Sequence, residues 1–138
     1  MWLVYALLSA IFASLVAIFI KLGVKNIDSN LAMALRTSVV LVMAWLIVCF
    51  SGSAKNISTA LTKSNLIFLV ISGLATGLSW LFYIKALQLG EVAKVAPIDK
   101  LSLVLTLILA FFILGEQVTP KVIIGATLIV SGTLVMIL

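Results

Sequence analysis

Histidine is absent from the 138 residues, cysteine occurs once, and only four side chains carry a carboxylate. Without histidine there is no imidazole to act as a base or to hold a metal. Cys49, standing alone, closes no intrachain disulfide and builds no thiolate cluster, and reads as a small apolar packing residue. The carboxylates, Asp28, Glu91, Asp99 and Glu116, form no pair on one helix, and no glycine loop links a strand to a helix to cradle a phosphate. These absences argue against an enzyme and imply no cofactor. Charge of either sign is scarce, at 9% of residues, against about 25% in soluble domains.

What is present is apolar: 64% of the residues are hydrophobic, where a soluble domain has roughly 45–50%. A water-soluble fold of this size lacks the interior to hide so much apolar side chain, because surface outgrows core in small domains. Lipid must take the place of the missing solvent shell. At about 20 residues per crossing, the chain has room for roughly six helices and almost nothing outside the bilayer.

Five apolar runs predict an all-α integral membrane protein with transmembrane helices at about 2–20, 31–50, 66–89, 92–114 and 121–138, in a single domain spanning 1–138. The first run carries its positive charges, Lys21 and Lys25, after the hydrophobic stretch and has no basic segment before it, so it is expected to be a retained helix rather than a signal peptide. Asp28, Ser29 and Asn30 are good N-cap residues for the second. Ser51 to Asn65 is the longest loop, and Gly90 stops the third helix. The fourth run is uneven: Lys94, Pro97, Asp99 and Lys100 crowd its first third, and Leu101–Leu114 is too short to cross a core of about 30 Å alone. Its polar third must lie at membrane depth or bend away.

The net charge of +5 is scattered one or two cations per loop, which suits headgroup contacts and topology rather than nucleic acid. Loop cations balance between the two sides, whereas counting every cation favours an outside N-terminus. That balance is compatible with insertion in both orientations. The expected location is the plasma membrane or the bacterial inner membrane, as a multi-pass protein.

Several residues stand out as candidates. Arg36, sixth in its run and roughly 8 Å in, either snorkels to the interface or orients a polar substrate group. Lys85 carries the same two readings. Pro97 either interrupts the fourth helix beside a substrate cavity, with Lys100 facing that cavity, or Glu91 to Lys100 is a loop with Pro97 in the first helical turn. Trp80, Phe82 and Tyr83 are either a cavity wall or an interfacial aromatic belt. Gly73 and Gly77 share one helix face, as do Gly125 and Gly132, and such small residues permit close helix packing within the chain or with a partner subunit.

Read in order, Ile18-Phe19-Ile20-Lys21, Ala34-Leu35-Arg36, Ala86-Leu87-Gln88-Leu89-Gly90, Val95-Ala96-Pro97-Ile98, Leu114-Gly115-Glu116 and the stretch from Gly125 to Gly132 resemble the repeat unit of EamA-type proteins of the drug/metabolite transporter superfamily. The resemblance covers nearly the whole chain. It implies one half of an inverted-repeat transporter, since members of that family usually carry two five-helix units in opposite orientations around a substrate cavity. A single unit would restore that symmetry as an antiparallel homodimer or with a paired homologous subunit. The superfamily's small multidrug resistance proteins exchange protons for cationic drugs through a glutamate in the first helix, and the first run here has no acidic residue. Arg36, Lys85 and Lys100 would instead give a cationic lining for anionic or zwitterionic metabolites, with Trp80 and Tyr83 as apolar wall. The expected function is therefore secondary transport of a small organic metabolite by alternating access. A non-transporting accessory subunit of a larger complex and a small lipid-linked-sugar flippase subunit are the other readings.

Overall fold

The structure, a computed structural model, describes residues 2–24, 26–57 and 61–138. The loop cation Lys25 lies outside them. The described residues are helical without a strand, in the order α1 Trp2–Gly23, α2 Ser29–Ser51, a 3-10 turn Ser53–Asn56, α3 Lys63–Leu89, α4 Val92–Asp99, α5 Ser102–Leu109, a π-helical turn Ala110–Leu114, and α6 Pro120–Ile137. Five segments among them are long and apolar enough to cross a membrane, with α4, α5 and the π turn forming one crossing, Val92–Leu114.

The helix ends follow local chemistry. Asp28 caps α2, its side chain accepting from the backbone N–H groups of Asn30 at 2.9 Å and Leu31 at 3.3 Å. The helix therefore starts two residues before the apolar run. Thr62 does the same for α3, accepting from Asn65 N–H at 3.4 Å, so that polar Lys63, Ser64 and Asn65 become a first turn rather than loop. Gly52 and Gly115 close α2 and the π turn with φ of 70° and 68°, a left-handed conformation that favours glycine. Pro120 opens α6, where its missing N–H has no helical partner to lose.

The fourth crossing departs from the loop expected as one reading of its polar third. Glu91 to Asp99 is not a loop: Glu91 is an extended N-cap and α4 runs through Pro97. The break comes later, at Lys100 and Leu101, where Lys100 N–H bonds the Pro97 carbonyl at 3.1 Å and Leu101 N–H the Ile98 carbonyl at 3.0 Å. This tighter three-residue spacing ends α4 before the helix resumes as α5.

The chain divides into two compact units, one made of Met1–Lys21 with Leu89–Leu138, the other of Leu22–Gln88. Among the described residues few are interior: Ala17, Ile20, Ala32, Ile84 and Leu87 are the buried apolar residues, and Ser29 and Thr133 the buried polar ones. Most large apolar side chains instead point outward, as lipid requires of helices. Cys49 is exposed, on the outside of α2 rather than packed within.

Candidate functional site

In the unit Leu22–Gln88, α2 and α3 bring Arg36 and Trp80 together. Arg36 is the eighth residue of α2, about 10 Å along its axis. Its guanidinium carbon lies 3.3 Å from the Trp80 ring centroid, so the group lies over the aromatic face of a residue in α3. Tyr83, three residues beyond Trp80, meets that indole edge-on, with centroids 5.9 Å apart and planes at 89°. All three side chains are half-buried. No carboxylate or other acceptor among the described residues takes a hydrogen bond or ion pair from Arg36. The unit's single acidic residue, Asp28, is turned to the α2 N-terminus.

Two other candidates stand apart from this group. Phe82 is 66% exposed. Lys85 is also exposed, about 160° around α3 from Tyr83 at about 100° per residue. Gly77 does face α2: a β-carbon there would lie 3.5 Å from the Met33 methyl, in ordinary contact. Around Gly73 the corresponding space is open.

In the other unit, Pro97, Lys100 and Gly132 line one open cleft of about 650 Å³ between the fourth crossing and α6. Among the described residues Lys100 is its one charged lining residue, and it is paired with Asp99 at 3.3 Å. Thr133, absent from the sequence-derived candidates, is buried beside Gly132 and donates its hydroxyl to the Pro97 carbonyl at 3.4 Å. Proline also brings no N–H to the carbonyl of Ala93, which lines the same cleft. Gly125 lies outside that lining, and a β-carbon at Gly125 or Gly132 would meet nothing within 4 Å. A second cleft, about 360 Å³ between α5 and α6, has apolar walls apart from Thr127. The Thr127 hydroxyl donates to its own helix at Ile123, so nothing there orients a polar solute.

Two long-range bonds tie the helix connections. Gln88 donates from Nε2 to the carbonyls of Val24 at 3.1 Å and Ile27 at 2.7 Å, holding the α1–α2 connection. Lys21 Nζ donates to the Gly90 carbonyl at 2.7 Å, joining the first and third of the short motifs read from the sequence. Both roles were missed, although Lys21, Gln88 and Gly90 all lie in those motifs. A polar side chain one turn from a helix end was the available signal.

The family model of the EamA-like transporter family matches residues 1–138. A protein of Sinorhizobium sp. described as an uncharacterized transporter in the cobO 3′ region is 44% identical over 135 residues, covering 98% of this chain and 95% of that protein. No solved structure matches the chain. The resemblance read from short motifs thus extends over the full length, and the five crossings make this an integral multi-pass membrane protein. The chain belongs to the EamA-like transporter family.

Proposed function

We propose that the chain is a secondary transporter that moves a small organic metabolite by alternating access, residues 1–138 acting as one transport domain within an antiparallel dimer. The family supports transport rather than catalysis. The observation that carries the site assignment is Arg36 over Trp80: a cation within a membrane-crossing helix, stacked on an aromatic face, with no hydrogen-bond acceptor among the described residues. Arg36 orients the polar end of the substrate, with Trp80 and Tyr83 as wall. Pro97 and Lys100 supply the break in the fourth crossing and a second cation. The dimer is supported by the near balance of loop cations, which lets one sequence take both orientations, and inverted pairing supplies the symmetry that alternating access uses.

The test is uptake by proteoliposomes loaded with the purified chain and bathed in a metabolite extract, read by mass spectrometry of their contents. Protein-dependent accumulation of a solute is expected. Arg36→Ala and Lys100→Ala should each lower it at least tenfold while inserting normally. Unchanged uptake in both variants overturns the residue assignment; a chain that moves nothing alone and co-purifies with a partner is an accessory subunit.

A further inference from the structure

We propose that the Arg36–Trp80–Tyr83 site selects a singly charged organic carboxylate, excluding both zwitterions and dianions; this rests on reading that site as the substrate site. A guanidinium stacked on an indole presents its π face to the ring and keeps its N–H fork in the plane, at the rim of the stack. That rim has no acceptor among the described residues. A planar carboxylate fits it with two parallel charge-assisted hydrogen bonds, while the edges of Trp80 and Tyr83 offer apolar surface to the rest of the molecule.

The charge of the ligand follows from what else is near. Lys85 points to another side of α3, and Lys63 starts α3 about 25 Å along the axis from Trp80. Lys55 lies in the 3-10 turn after α2, beyond the end opposite Asp28. Within the unit Leu22–Gln88, Arg36 is therefore the one cation among the described residues at the site, and Lys100 of the other unit is already paired with Asp99; that is enough for one carboxylate and too little for two in a medium that penalises uncompensated charge. An amino acid would bring an ammonium that needs an acceptor of its own. The unit's one carboxylate, Asp28, lies about 12 Å along α2 from Arg36 and already accepts from Asn30 and Leu31.

Trp80 reports binding directly once Trp2 and Trp45, which are 78% and 54% exposed, are replaced by phenylalanine. Fluorescence of that variant in liposomes is titrated with four probes sharing a phenyl body: benzoate, phthalate, phenylalanine and benzylamine. Benzoate should quench saturably, and each of the others should bind at least tenfold more weakly. Arg36→Gln should abolish the benzoate response, and Arg36→Lys, which keeps the charge but loses the fork and the flat stack, should weaken it at least tenfold with unchanged helical circular dichroism. The proposal is overturned if benzylamine or phenylalanine matches benzoate, if Arg36→Lys binds benzoate as the parent does, or if benzoate, octanoate and indole-3-acetate all fail to quench. Benzoate binding without any uptake would sink the transport reading and leave the ligand class standing. Uptake of a cation would do the reverse.

Discussion

Arg36 shows how a single side chain is placed by several others. Asp28 fixes where α2 begins, Gly77 leaves room for Met33 against α3, and Trp80 receives the guanidinium. Since a β-carbon at 77 would meet Met33 at 3.5 Å, Gly77→Ala should leave stability and Trp80 fluorescence almost unchanged. Gly77→Leu should push the helices apart and raise the exposure of Trp80 to a water-soluble quencher. Gln88 is a second such residue: Gln88→Leu strips two carbonyls of their donor and should cost about 1–3 kcal/mol, measured as a fall in denaturation midpoint in detergent. Arg36 and Trp80 were both legible in the sequence as unusual residues for a membrane helix. Their partnership was not, because they stand forty-four residues apart and each had a satisfactory reading at the interface. Gln88 escaped notice for the opposite reason, since an amide near a helix end passes as ordinary loop polarity.

Among the elements, the fourth crossing separates what periodicity can reveal from what it cannot. Its irregularity was plain from Pro97, Asp99 and Lys100, but the position of the break was not. Proline removes its own donor and strains the turn before it, yet α4 continues through Pro97 and yields only at Lys100 and Leu101. The Pro97 carbonyl, left with the three-residue bond from Lys100, also receives the Thr133 hydroxyl from α6. Such a contact, between residues thirty-six apart, leaves no trace in local pattern. Thr133→Val keeps the shape and removes the donor; a loss of about 0.6 kcal/mol is the expectation for one interhelical hydrogen bond in lipid. A double-mutant cycle with Pro97→Ala tests the link to the break: an unbroken helix would bring the Leu101 N–H to the carbonyl of residue 97, and the threonine should then matter less. The helix ends were misplaced by two or three residues in α2 and α3 for a simpler reason, that Asp28 and Thr62 turn polar residues into first turns.

At the scale of the whole molecule, composition dictated the membrane and the five separate apolar runs the number of crossings, because those runs have no other place to go. Composition did not dictate direction. Single cysteines at Asn26 and Lys55, introduced with Cys49→Ala, lie in connections on opposite sides of the bilayer. Labelling from each side should find both sites reachable from both sides, in separate molecules, if one sequence supplies both halves of an antiparallel pair. A single orientation would require a second, oppositely inserted homologue.

The stack of Arg36 on Trp80 also has a consequence in time. The ribosome finishes α2 well before α3, so a nascent chain must present an arginine to the bilayer while its aromatic partner does not yet exist. On the insertion scale an arginine at a helix centre opposes integration by about 2.5–3.5 kcal/mol, and Arg36, about 10 Å into α2, carries part of that penalty. Synthesis order thus favours α2 waiting at the translocon until α3 emerges, the two entering as a hairpin. Glycosylation mapping of chains truncated at Leu61 and at Gly90 should show α2 integrating efficiently only in the longer one, and Trp80→Ala should bring the longer chain down towards the shorter.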